Sequence, residues 1–353
     1  MVVDVIIVGA GPAGSICARH LAQHGHSVAL LDKAQFPRQK ICGDCLTPRS
    51  WNLWQEEELL HGFEQLPHYV IQNFFLSSGT DSMLSVKLSS KNKGHRAVSR
   101  TDMDDWLLKE AAASGVHIRQ GVRINEISGT HTVVTNEETF ESRVLVGADG
   151  RNSTIARNLG LSPNKALCRR VAWQTRAPVA TIAQGVHMKF FSQGYLGCVP
   201  LNEKEANVCV VINQPSSLTP QGVVARYLDI HSPLIWKSVS PLSRKPGKVA
   251  INQGLLIGDA ARIIEPFTGE GTYMAMRSGQ LAAQCISQAL KNNTLNQLAN
   301  NYTRAHHKLY QKMPFHNRLS RWLALNPKVA QFIVSFLKHN PSLLKKLVES
   351  NLY

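Results

Sequence analysis

Val3-Asp4-Val5-Ile6-Ile7-Val8-Gly9-Ala10-Gly11-Pro12-Ala13-Gly14 is an apolar run that ends in three spaced glycines, and its reading decides the fold. Val3 to Val8 suits a short buried strand, Pro12 to Gly25 carries helical spacing, and Ser27 to Leu31 is a second apolar run. The pattern is β–α–β within about thirty residues. In that setting Gly9 allows a tight turn, Gly11 lets a pyrophosphate approach the backbone, and Gly14 lets helix and strand pack closely. The helix start offers N–H groups and partial positive charge to phosphate oxygens. Asp32 closes the second run 18 residues after Gly14, in position to accept hydrogen bonds from a ribose. A purely structural glycine turn is the alternative, and which dinucleotide is held stays open from this stretch alone.

At 353 residues the chain is long enough for a full core, in about two domains or one large α/β body. No apolar run reaches the roughly 18 residues of a membrane span. The first residues carry no basic segment and run straight into the glycine turn, so they read as structure and a cytoplasmic location is the expectation. Seven cysteines, odd and scattered, suit reduced thiols better than a disulfide framework. The formal charge is +15, and from Tyr302 to Tyr353 nine Lys/Arg face one acid, Glu349. No nucleic-acid module accompanies that excess, so nucleic acid is not expected as a partner.

Thr101 to Ser114 reads as a helix with Thr101 as N-cap, acids in its first turn and Gly115 at its end. Arg143 to Gly147 is another buried-strand candidate. Segments 168–177, 186–192, 195–200 and 206–212 read as strands of an antiparallel sheet separated by Pro and Gly. Chain 253–290 returns to strand, loop and helix, and 294–350 reads as several helices. The expected architecture is α/β: a Rossmann-like domain in two pieces, 1–165 and 250–292, interrupted by an antiparallel-sheet substrate domain over 166–249. A helical C-terminal region over 293–353 follows.

Two further stretches point to the cofactor. One is Val144-Leu145-Val146-Gly147-Ala148-Asp149-Gly150-Arg151-Asn152-Ser153; the other is Gly254-Leu255-Leu256-Ile257-Gly258-Asp259-Ala260-Ala261, followed by Pro266-Phe267-Thr268-Gly269-Glu270-Gly271. With the first glycine turn they resemble the three fingerprints of the p-hydroxybenzoate-hydroxylase-like flavoprotein superfamily, over roughly residues 1–290. Phe36-Pro37-Arg38-Gln39-Lys40-Ile41-Cys42-Gly43-Asp44-Cys45-Leu46 and Gly271-Thr272-Tyr273-Met274-Ala275-Met276-Arg277-Ser278-Gly279 are similar to its geranylgeranyl-reductase-like branch. The resemblance implies FAD, with contacts from Gly9, Gly11, Pro12, Ala13, Gly14, Asp32, Lys33, Arg100, Asp149, Gly258, Asp259, Gly269, Gly271 and Thr272. Asp259 can accept from ribityl hydroxyls, and the helix opened by Gly271 can stabilise negative charge on a reduced flavin. A surface role is the alternative for Arg100. Where the branch and the flavin halogenases often carry a Trp-containing strand, this chain reads Gly194-Tyr195-Leu196-Gly197-Cys198-Val199-Pro200, which argues against halogenation.

The candidate reactive groups are Asp44, Tyr195 and Cys42. Cys42 and Cys45 form C-x-x-C, readable as a redox dithiol, as a flavin-side or substrate-side thiol at Cys42, or as structure; zinc would need a second pair. Cys198 is a candidate for the cavity wall, His306-His307 reads as a solvated helix face, and no metal site is expected. Val329, Phe332, Ile333, Phe336 and Leu337 make one helical stripe, continued by Leu343, Leu344, Leu347 and Val348 with Lys338, Lys345 and Lys346 nearby. That stripe reads as a packed cap or as a peripheral contact with anionic lipid. The resemblance implies a reductase of carbon–carbon double bonds in an apolar, lipid-like substrate, with NAD(P)H as electron source. A monooxygenase of the same fold and a redox-silent flavin-binding scaffold are the alternatives.

Overall fold

The computed structural model describes residues 1–78, 83–88, 94–161, 169–178, 185–244, 246–311, 322, 326–338, 340 and 342–343. The Gly-rich turn joins strand β1 (Val2–Val8) to helix α1 (Pro12–Gln23), which leads to strand β2 (Val28–Asp32). β1 lies inside a parallel sheet, with β2 on one side and Thr139–Gly147 on the other. His117–Gln120 extends the sheet beyond β2, and Gly254–Leu256 extends it beyond Thr139–Gly147. Both faces of such a sheet are covered, which is why Val5 to Ile7 and Val144 to Val146 are unbroken apolar runs with no exposed surface. The neighbours of β1 run to opposite sides of it, so a crevice opens at the carboxyl ends of these strands.

Helix Arg100–Ala113 begins one residue before the expected Thr101 start. Its N-cap is Ser99, whose hydroxyl accepts from Thr101 N–H at 3.2 Å, so Arg100 belongs to the first helical turn. Serine and threonine are both favoured caps, serine the more so, and the backbone path places Ser99 there.

The second sheet runs Lys237–Val239, Arg170–Pro178, Glu205–Asn213, Gly194–Pro200, Val186–Phe191, Asn73–Ser78, Leu84–Lys87. Four of the strands follow the segments read from sequence; Cys168 lies outside the described residues. Asn73–Ser78 joins from far upstream and pairs parallel with Val186–Phe191, the one parallel pair among these seven strands. One face of this sheet carries Val186, Met188, Tyr195, Gly197, Val199 and Val211. The other carries Leu196, Cys198, Val208, Val210 and Ile212 under helix Pro220–Leu228. Cys198 is therefore buried away from the cavity, because alternate residues of a strand face opposite ways.

Helix Leu298–Gln311 turns Leu298, Tyr302, His306 and Tyr310 inward, and Tyr302 Oη donates to Leu256 O at 2.7 Å. His306 is thus buried between two tyrosines, and burial pulls its pKa down to about 4; only His307 is solvated. Helix Pro327–Lys338 packs on Asn73–Ser78 and Val186–Phe191 through Ala330, Val334 and Leu337. The expected single stripe is split. Leu337 and half-buried Ile333 turn inward, whereas Val329, Phe332 (74% exposed) and Phe336 (53% exposed) turn outward. Leu343 is exposed, and Leu344, Lys345, Lys346, Leu347 and Val348 lie outside the described residues. Among the described residues no helix is long and apolar enough to cross a membrane.

The long helix Gly271–Lys291 crosses α1 where a Cβ on Gly279 would stand 2.3 Å from Ala13 O. Glycine to alanine in an exposed helix normally stabilises by roughly 1 kcal/mol. Here the sign should invert. Gly279→Ala is expected to lower the unfolding free energy by about 1–3 kcal/mol, as overpacking does, measured by urea denaturation.

Candidate active site

A cavity of about 1050 Å³ runs from the β1–α1 turn to the second sheet. Small-molecule sites usually occupy about 300 to about 1,000 Å³, so it is large enough for a dinucleotide and a substrate together. Gly9 (φ +107°) makes the turn, since a Cβ there would meet Ala148 O at 2.4 Å. Gly14 stands behind the turn and off the cavity, where a Cβ would meet Gly9 O at 1.9 Å. Gly11, Pro12 and Ala13 border the cavity at the N-terminus of α1, which no side chain caps. A Cβ on Gly11 would come no closer than 3.5 Å to the Arg38 guanidinium, so space is open beside it.

Asp32 and Lys33 line the same end. Asp32 braces the turn, accepting from Ala10 N–H and Ala34 N–H, each at 2.8 Å. Asp149 borders the cavity, but its carboxylate accepts from Thr154 N–H at 2.6 Å and from the Ser153 hydroxyl, capping the short helix Thr154–Asn158. Asp259 also borders it and pairs with Arg151 at 3.1 Å. Gly258 N–H donates to Ser278 Oγ at 2.8 Å, which explains the serine of the Ser278-Gly279 pair. Gly269 (φ +68°) turns the chain into the long helix, and Gly271 and Thr272 open that helix onto the cavity. Arg100 reaches the cavity from a buried fork on Asp104, at 2.7 and 2.8 Å, with Arg38 on the same carboxylate at 3.1 Å.

The three reactive candidates separate. Cys42 lines the cavity with its Sγ 4.0 Å from Thr272 Oγ1. Tyr195 also lines it, and its hydroxyl donates to Glu265 Oε1 at 3.1 Å while Arg170 grips the other oxygen. Tyr195, Glu265 and Arg170 are all buried. Burial, then the Glu265 carboxylate, hold the Tyr195 hydroxyl well above its usual pKa. Asp44 is not on the cavity wall. It is 2% exposed, adopts φ +55°, and lies 2.8 Å from the Arg176 guanidinium without hydrogen-bond alignment. Burial pushes its pKa up to about 6 against the pull of Arg176 and Arg100. Both Cys42 and Cys45 are free thiols, and burial pushes Cys45 up to about 12, which leaves it poorly suited to dithiol chemistry.

Sequence reading missed Glu265, although it directly precedes the quoted Pro266 motif, and Arg170. It also missed His95, a cavity-lining imidazole that burial and Arg96 hold neutral, with pKa about 4. None of the three stands in a pattern that marks it.

The donor set fits FAD. Two helix N-termini converge on one cavity, Gly11 and Gly271 leave open space beside the backbone, and Arg38, Arg100 and Lys33 supply positive charge. The Asp44 environment gives a measurable consequence. A carboxyl with folded pKa near 6 and unfolded pKa near 3.9 contributes stability in full below about pH 4 and loses it as pH rises to about 6. The stability of Asp44→Asn relative to wild type should therefore rise between pH 4 and 6 by up to about 3 kcal/mol, then stay level, in urea unfolding across pH.

The FAD binding domain family matches residues 2–219. A geranylgeranyl diphosphate reductase of Rhodobacter capsulatus is 30% identical, over 82% of this chain and 76% of its own. A menaquinone reductase of Mycolicibacterium smegmatis is 28% identical, over 80% and 76%. The structure of the flavin-dependent brominase Bmp2 matches with a TM-score of 0.80 at 20% identity, over 99% of this chain and 93% of that one, a likeness of fold. The chain belongs to the FAD binding domain family and is an FAD-dependent oxidoreductase of the geranylgeranyl-reductase-like branch.

Proposed function

We propose that this oxidoreductase saturates carbon–carbon double bonds of an apolar, isoprenoid-like substrate, with NAD(P)H as electron source. The observation that carries the reading is the single cavity that joins the dinucleotide loops to an apolar wall of Phe74, Val186, Met188, Val199 and Val211. The reductases among its relatives support it. When bound, FAD supplies two-electron transfer as a hydride. Gly11, Pro12, Ala13 and Asp32 would hold its pyrophosphate and ribose, and Gly271 and Thr272 would meet its ring end at a helix N-terminus. The apolar wall orients a hydrocarbon chain and excludes water. Reducing an alkene also needs a proton for the second carbon, and Cys42 Sγ–H, on the cavity wall, is the group that would carry it. Tyr195 Oη, its proton directed to Glu265, keeps lone pairs that can accept from a substrate hydroxyl.

The same reading extends to a partner. The outward row Val329, Phe332 and Phe336 lies on a helix whose inner face packs on the strands that carry Phe74, Val186 and Met188, beside a stretch with nine cations and one acid. An anionic bilayer surface matches both the apolar row and the charge, and it would supply an apolar substrate near the cavity.

Two measurements test these readings. Anaerobically reduced holoenzyme, mixed under nitrogen with geranylgeranyl diphosphate, should be reoxidised rapidly by the alkene and yield a product heavier by two hydrogens; fast reoxidation by O2 alone, with oxygen entering the product, would establish a monooxygenase instead. Phe332→Glu combined with Phe336→Glu should abolish flotation with phosphatidylglycerol vesicles and leave the melting temperature unchanged. Flotation unaffected by the pair, or loss of a dimer in sedimentation in its place, would refute the lipid contact.

A further inference from the structure

The Cys42 peptide is gripped from the second sheet on both sides. Its N–H donates to Gln174 Oε1 at 3.2 Å, and its C=O accepts from Asn207 Nδ2 at 2.8 Å. The two side chains are joined to each other, Gln174 Nε2 donating to Asn207 Oδ1 at 2.7 Å. Both are buried, at 9% and 1% exposure. Each amide thus uses one donor and one acceptor in a closed circuit, and turning either amide over would set donor against donor. The Cys209 thiol, kept protonated by burial, adds a contact to the same carbonyl at 3.6 Å.

The circuit belongs to a pattern along two strands. On Arg170–Pro178, alternate residues Ala172, Gln174 and Arg176 share a face: Ala172 lines the cavity, Gln174 holds Cys42, and Arg176 holds Asp44. On the paired strand Glu205–Asn213, Val211, Cys209 and Asn207 all border the cavity, and Cys209 and Asn207 also reach Cys42 O. One sheet face therefore changes from an apolar wall to a polar clamp over a few residues, and the clamp seizes Cys42-Gly43-Asp44. Between the two held residues, nothing lies within 4 Å of where a Cβ on Gly43 would stand.

We propose that Gln174 and Asn207 are positioning residues that aim Cys42 Sγ along the cavity beside the N-terminus of the long helix, so that the substrate sheet sets where the reactive thiol stands. This rests on Cys42 being the proton-carrying group. A peptide held at N–H and C=O leaves the thiol only its side-chain rotation, whereas a loose loop would let it swing off the reacting carbon. An ångström of misplacement can cost on the order of a hundredfold in rate.

The test uses FAD-loaded enzyme with geranylgeranyl diphosphate as the alkene probe. Asn207→Asp sets a carboxylate against the Cys42 carbonyl, and Gln174→Glu removes the donor to Asn207, each at unchanged size. Either is expected to lower kcat by about tenfold to a hundredfold with KM within about twofold, to speed alkylation of Cys42 by iodoacetamide, and to leave the flavin spectrum unchanged. Unchanged kcat and unchanged Cys42 alkylation in both variants would overturn the clamp. Cys42→Ala separates the two ideas: if it turns over normally, the proton role fails, while the Cys42 alkylation rates of the Asn207 and Gln174 variants still report on the clamp. Should the variants not fold, hydrogen exchange on the wild-type holoenzyme decides, because a clamped Cys42 N–H must be protected and a freely exchanging one is not clamped.

Discussion

Everything at the cofactor end depends on backbone meeting backbone where no side chain fits. Gly14 lets α1 start against the Gly9 carbonyl, and Gly279 lets the long helix cross α1 at Ala13. Those two contacts bring two helix N-termini to one cavity from elements more than two hundred residues apart in sequence. Partial positive charge and unsatisfied N–H groups then converge without a single lysine being required. Ser278 reinforces the crossing through Gly258, so the third fingerprint loop is held by the helix it precedes.

The acids around this cavity divide by task. Asp149 caps a helix, Asp32 braces the first turn, Asp104 anchors Arg100 and Arg38, and Glu265 joins Tyr195 to Arg170. Each carboxylate is met by donors or a cation, as burial demands. Asp44 is the exception in degree. Burial outweighs the pull of Arg176 and Arg100 there, and the carboxyl pKa is pushed up to about 6.

The second sheet acts at two scales. One face is apolar toward the cavity and polar where it grips the Cys42 loop, and the opposite face carries the apolar cluster of Leu196, Cys198, Val208, Val210 and Ile212 beneath Pro220–Leu228. The tail helix repeats the two-sided logic with an outward row of large apolar residues. Its inner face packs through Ala330, Val334 and Leu337 with half-buried Ile333, which leaves the phenylalanines on the side away from the sheet.

Local chemistry in the sequence determined the dinucleotide end. Glycines that need φ > 0 or contact at backbone distance, unbroken apolar strands and a Pro at a helix start each act within a few residues, so the turn at Gly9 and the close packing at Gly14 could be read directly, whereas Gly269 and Gly271 were marked by resemblance. The strand segments of the second sheet were legible for the same reason, their period of two being local. The tertiary structure alone decided which groups meet. Cys42 and Asn207 are 165 residues apart, Cys42 and Gln174 132, and Tyr195 and Glu265 70. Pairing of strands across those distances decided that Cys198 faces away from the cavity, that Asp44 sits behind its wall, and that Phe332 and Phe336 face outward. A strand's period says which residues share a face, and only its neighbours say what that face is against.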